Sequence, residues 1–97
     1  MEERMGKIMR IVLTIVGKDR VGIIAKVSNL LAEHGVNILN INQNILEGFF
    51  NMIMIADMKD SKMSIKDLQQ ILKEKGEEIA LDIKVQHEDI FDIMHKI

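Results

Sequence analysis

Two segments with apolar residues at helical spacing are each bracketed by segments in which apolar and polar residues alternate. This switching of period limits the chain to very few folds. Over residues 9–16, MRIVLTIV, Met9, Ile11, Leu13 and Ile15 fall on one face and Arg10, Val12, Thr14 and Val16 on the other, as in a strand. From Ile23 the apolar positions become Ile23, Ile24, Val27, Leu30 and Leu31, a single helical stripe, and Gly35 follows as a left-handed stop. Residues 36–48, VNILNINQNILEG, return to period two, with Asn40, Asn42 and Asn44 on one face and Leu39, Ile41 and Ile45 on the other. Glu47 and Gly48 interrupt this strand, and FFNMIMIADMK resumes as a third, which predicts a hairpin with a glycine-containing turn. Ser64 with Asp67 three residues on resembles a capping box, so a second helix is expected through Leu68, Ile71 and Leu72 to Gly76. Ile79, Leu81, Ile83 and Val85 then alternate with Ala80, Asp82, Lys84 and Gln86 in a fourth strand, and Ile90, Ile93, Met94 and Ile97 stand at helical spacing in the tail.

The resulting order, β-α-β-β-α-β, predicts an α+β, ferredoxin-like sandwich: a four-stranded antiparallel sheet with both helices on one face, plus a short C-terminal helix. Right-handed crossovers put the first and third strands at the centre and the second and fourth at the edges. The other face of the sheet, carrying Arg10, Thr14, the three asparagines, Lys84 and Gln86, is left open to water or a partner. With 97 residues there is one domain, 8–87, flanked by an extension at 1–7 and a helical tail at 88–97.

Composition removes several function classes. There is no cysteine, which excludes disulfides, thiolate metal sites and cysteine nucleophiles and suits a reducing cytoplasm. The net charge is -2 with lysines scattered among the acids, and Trp and Tyr are absent, so neither a phosphate-neutralising stripe nor a base-stacking platform is expected. Nucleic acid is a poor partner, and no apolar run reaches the roughly 20 residues of a membrane span. His34, His87 and His95 are too dispersed for a metal site, no serine has a nearby base in sequence, and no cofactor is expected. Met52, Met54 and Met58 sit at strand spacing and are assigned to the core.

The turn GKDRVG, residues 17–22, joins the first strand to the first helix. It is not a Walker A loop, because Ile23 and Ile24 stand where lysine and a hydroxyl are needed. Its backbone nonetheless aims the first amides of the helix, and the positive end of the helix dipole, at whatever lies before it. A carboxylate suits that place, Gly22 admits a ligand to the main chain, and Asp19 can accept from an ammonium group. Together these describe a free α-amino acid. The plainer reading makes Asp19 the helix cap and Gly22 a means of packing the helix tightly against the sheet. Asn37, at the start of the second strand, offers a donor and an acceptor near an exposed edge.

The segment DRVGIIAKVSNLLAEHGVNI, residues 19–38, resembles the signature of the ACT domain: Asp-Arg-Pro-Gly-Ile/Leu, an amphipathic helix, then Gly-(Val or Ala)-Asn-Ile. The similarity extends over about residues 8–87, and is strongest to small stand-alone ACT proteins and to the ACT modules of glycine-cleavage repressors and formyltetrahydrofolate deformylases. The resemblance implies a regulatory, non-catalytic protein that pairs with a second copy and binds an amino acid between the two. Asp19, Arg20, Val21, Gly22 and Ile23 come from the turn, and Asn37 and Ile38 from the second strand. Val21 departs from the family pattern, standing where proline is common; valine adopts the same φ without enforcing it. The expectation is therefore a homodimer or higher homo-oligomer sensing an amino acid. The rival expectation is a ligand-free dimeric adaptor that docks on an enzyme or regulator. An acylphosphatase-like hydrolase is disfavoured, since Asp19 opposes the charge that Arg20 and Asn37 would have to cradle.

Overall fold

The alternation and helical stripes take the predicted order in the computed structural model, which describes residues 9–18 and 21–89. The elements are β1 (Arg10–Lys18), α1 (Ile23–Glu33), β2 (Asn37–Leu46), β3 (Phe49–Asp57), α2 (Ile65–Glu78) and β4 (Leu81–His87). The strands form one antiparallel sheet in the order β2-β3-β1-β4, with β1 and β3 central as the crossover rule requires. The extension at 1–7 and, from residue 90 onward, the expected C-terminal helix lie outside the described residues.

One face of the sheet makes the core. Ile11, Leu13 and Ile15 of β1 stand opposite Ala56, Met54 and Met52 of β3 on one side, and Leu13 and Ile15 opposite Val85 and Ile83 of β4 on the other. These side chains are buried beneath Ile23, Val27 and Leu31 of α1 and Leu68 and Leu72 of α2. Each such aliphatic side chain contributes about 1.5–3 kcal/mol on leaving water. Met52, Met54 and Met58 belong to this core, as their spacing predicts. α1 packs on the β2 side of the layer and α2 on the β4 side.

Three local details depart from the sequence reading. α2 does not stop at Gly76 but continues to Glu78, with Ile79 as its C-cap. Gly76 is instead a point of close approach, where a Cβ would lie 2.7 Å from the main-chain oxygen of Leu81 and 3.2 Å from Ile83. β4 consequently begins at Leu81 rather than Ile79, after Ala80 turns the chain at a φ of 57°. In β2 a bulge at Leu39, between Ile38 opposite Ala56 and Asn40 opposite Ile55, breaks the alternation. Leu39 then borders a hollow with Arg10, Asn40, Ile55 and Glu88, away from the face it was expected to share with Ile41 and Ile45. The open face is also more apolar than the alternation of β1 and β2 suggests, because β3 adds Phe49, Ile53 and Ile55 to it.

The capping expectation for α2 holds: the Ser64 hydroxyl accepts a hydrogen bond from the Asp67 amide at 3.1 Å, with Asp67 in the first turn. Replacing Ser64 with alanine orphans that donor, so Ser64→Ala is expected to lower stability by about 1 kcal/mol in a denaturant titration with the m-value unchanged.

Candidate functional site

The first turn of α1 is built differently from that of α2. Gly22 is its N-cap, at φ 90° and ψ 2°, and contributes no side chain to the first amides. No acidic residue lies in the first turn, and the main chain is tied down by the Lys26 amide donating to the Gly22 carbonyl at 3.0 Å. The N–H groups of Ile23, Ile24 and Ala25 are therefore without a capping side chain among the described residues. Gly22 is needed for its left-handed φ, which costs an L-residue about 1–2 kcal/mol. Close packing is not the reason: a Cβ there would have nothing within 4 Å. The plainer sequence reading, a glycine that lets the helix approach the sheet, is thus replaced by an open backbone surface. Val21 beside it is 99% exposed, whereas Ile23 is buried and anchors the helix to the core. Asp19 and Arg20 lie outside the described residues.

Asn37 and Ile38 begin β2, opposite Asp57 and Ala56. Asp57 is 5% exposed and locks this end of the sheet, its Oδ1 accepting from the amides of Met9 at 2.9 Å and Lys59 at 3.0 Å. Asn37 is exposed beside it.

The two groups of expected site residues are not brought together within one molecule. β1 runs toward the turn at Gly22, where Lys18 stands opposite Phe49. α1 then carries the chain back to the end where Arg10 and Asn37 both stand opposite Asp57. Gly22 and Asn37 therefore mark opposite ends of the sheet, separated by roughly the 30 Å that a ten-residue strand spans. No single small ligand touches both in one copy.

The sheet edges differ sharply. Along β4 the Gln69 side chain donates through Nε2 to the Val85 carbonyl at 2.7 Å, occupying an outward-facing acceptor. Asp82 and Lys84, 3.7 Å apart, add charge to the same strand. β2 has none of this: its ten residues, NILNINQNIL, carry no charge, and Ile41, Ile45 and Leu46 are 39%, 52% and 66% exposed. Asn40, Asn42 and Asn44 share the open face with Ile55, Ile53 and Asn51, as their alternation predicts. The signal that sequence reading missed is the contribution of Gln69, which sits in a helix sixteen residues before the carbonyl it caps.

Comparison with known proteins now settles the family. The model of the ACT domain matches residues 9–86. The chain belongs to the ACT domain family. A UPF0237 protein of Clostridium perfringens is 54% identical over 92% of this chain and 100% of its own length. Among solved structures, an ACT domain protein from Streptococcus pneumoniae superposes with a TM-score of 0.78 at 34% identity, covering 89% of this chain and 97% of that one. A formyltetrahydrofolate deformylase from Pseudomonas syringae gives 0.73 at 29% identity, covering 86% of this ACT chain but 28% of the deformylase. The same βαββαβ unit thus occurs both nearly alone and as a small part of a larger enzyme. Among the described residues no helix is long and apolar enough to cross a membrane, and no three His, Asp or Glu side chains are grouped to hold a metal.

Proposed function

We propose that this ACT domain is a non-catalytic regulatory module that pairs side by side through β2 and binds a free amino acid at two equivalent sites between the protomers. The observation that carries the reading is the placement of Gly22 and Asn37 at opposite ends of the same sheet. An antiparallel β2–β2 pairing sets the Gly22 end of one copy beside the Asn37 end of its mate, twice, by symmetry. The edge asymmetry supports the same pairing, because an uncharged, apolar, ten-residue edge invites a strand and one with its carbonyl capped from within does not.

In such a site the amino-acid carboxylate takes the uncapped amides of Ile23 and Ile24 and the favourable end of the α1 dipole. Gly22 leaves the approach clear, Val21 offers apolar surface, and Asn37 of the mate supplies an acceptor for the ammonium group. Asp19 and Arg20 adjoin this turn in sequence and are the first candidates for the remaining charge pairing. The ligand regulates by binding one mutual arrangement of the protomers better than another, and shifts the equilibrium by that difference alone. Isothermal titration against the twenty amino acids is the test. At least one is expected to bind at micromolar to millimolar concentration with one site per chain, and Gly22→Val is expected to weaken it at least about 10-fold. Silence from all twenty at millimolar concentration rejects the reading.

One observation favours a second reading, a ligand-free dimer that docks on an enzyme or regulator. Phe49 and Ile53 on the open face are 54% and 41% exposed, beside Leu46. A partner captured with equal strength in the presence and absence of every amino acid would support it.

A further inference from the structure

We infer that the proposed β2–β2 pairing has a single favoured register, with the twofold axis passing at Gln43, so that Ile41 meets the mate's Ile45 and Asn42 meets the mate's Asn44. This rests on the side-by-side dimer proposed above and goes beyond it by fixing which residues meet.

The hairpin sets the first condition. Glu47 and Gly48 have φ values of 51° and 83°, the two positive angles of a type I′ turn, closed by Leu46 opposite Phe49. The closing residues of such a two-residue hairpin exchange main-chain hydrogen bonds with each other, and bonded and non-bonded pairs then alternate along the ladder. Leu46, Asn44, Asn42 and Asn40 consequently spend their main-chain groups on β3. The N–H and C=O of Ile45, Gln43 and Ile41 point outward. A second β2 can bond only by setting its own outward residues opposite these, which eliminates every register that matches an odd residue with an even one.

The bulge sets the second condition. A regular ladder is available only between Leu39, where the strand is kinked, and the turn at Glu47, that is, over residues 40–46. An axis at Gln43 uses this whole stretch. An axis at Asn42 leaves 40–44 and one at Asn44 leaves 42–46, each shortening the ladder at both ends.

Side-chain chemistry agrees. With the axis at Gln43, the half-exposed Ile41 and Ile45 cover each other across the interface on the helix face. The two Gln43 amides meet at the axis, where each can donate to the other, and Asn42 faces the mate's Asn44 on the open face. An axis at Asn42 would instead set Ile41 against Gln43 and Ile45 against the kinked Leu39, leaving apolar groups facing polar ones. Allowing for the extra residue at the bulge, the favoured register brings the mate's Asn37 level with the Glu47–Gly48 turn. That is the end of the sheet where Gly22 opens α1, so the register also aligns the two halves of the ligand site.

A cysteine scan tests this, because the natural chain has no cysteine to interfere. In a symmetric antiparallel pair only the residue at the axis meets its own copy, at about 5.5 Å between Cα atoms for a hydrogen-bonded pair. A disulfide spans that distance, whereas copies of the adjacent residues are diagonal, about 7–8 Å apart, beyond its reach. Ile41→Cys, Asn42→Cys, Gln43→Cys, Asn44→Cys and Ile45→Cys are made singly in the full chain, oxidised mildly and resolved on a non-reducing gel. The mass of the unmodified chain is measured in parallel by sedimentation equilibrium. The covalent dimer is expected to form at least about 10-fold faster in Gln43→Cys than in any other variant. If the unmodified chain is a dimer and Asn42→Cys or Asn44→Cys is fastest, the register is overturned while the β2 pairing stands. If the chain is a dimer and none of the five cross-links, both fall. If the unmodified chain is a monomer, the dimer reading itself has failed.

Discussion

Gln43→Pro is expected to separate the proposed pair into monomers of 11.1 kDa while leaving each monomer folded. Proline removes the N–H of residue 43, and the alternation set by the Glu47–Gly48 turn points that N–H away from β3. The internal ladder therefore loses nothing, in keeping with the tolerance of edge strands for proline on their outward side. Across the twofold axis two donors vanish at once and two carbonyls are left without partners. At about 1–1.5 kcal/mol for each bond, the dimer loses roughly 3 kcal/mol. That corresponds to a dissociation constant raised about 100-fold. Sedimentation equilibrium across a concentration series reads the shift, and a thermal melt at high dilution checks that the fold survives. Asn42→Pro is the contrasting variant: its N–H faces β3 opposite Ile53, so it should destabilise the hairpin itself. A Gln43→Pro protein as dimeric as its parent would remove β2 from consideration as the joining edge.

Gly76→Val should unfold the molecule more readily than any surface change. The added Cβ would lie 2.7 Å from the carbonyl oxygen of Leu81, a main-chain atom of β4, and 3.2 Å from Ile83 in the core. The Leu81 oxygen is main chain and cannot swing aside, and the Ile83 side chain is itself buried in the core, so relief requires α2 to move off β4. Overpacking of this kind costs about 3 kcal/mol. In a domain of this size the melting temperature should fall by roughly 12 to 24 °C. Differential scanning calorimetry measures it directly. A fall of only about 2 °C would mean that the helix slides at no cost and that the close approach at Gly76 is not needed.

That glycine also shows what sequence patterning can and cannot convey. Helical and strand periods report which side chains face the core, and they located both helices and all four strands, while the crossover rule supplied the edge position of β2. A glycine near the end of a helical stripe is a stop signal or a contact point depending on what packs above it. Only tertiary placement of Leu81 and Ile83 distinguishes the two. The bulge was hidden for a related reason: Ile38, Leu39 and Ile41 are all apolar, so an inserted residue changes the register without an obvious change in composition. The division of the candidate site between the two ends of the sheet is a consequence of element order, since α1 must return the chain by the length it travelled in β1. The asymmetry of the edges was only half visible. The absence of charge in β2 is plain in the sequence, but the Gln69 bond to Val85 joins a helix to a strand and has no local signature.

In the proposed pairing, the Gln69 clasp bears on how far association proceeds. A sheet with two receptive margins grows by adding copies indefinitely, toward ribbons and ultimately amyloid. Here the β4 margin has its Val85 carbonyl taken by the molecule's own helix and carries the charges of Asp82 and Lys84, so the proposed joining through β2 uses the more receptive border of both participants. On the proposed pairing, raising the amount of protein is expected to multiply finished twosomes rather than lengthen a filament.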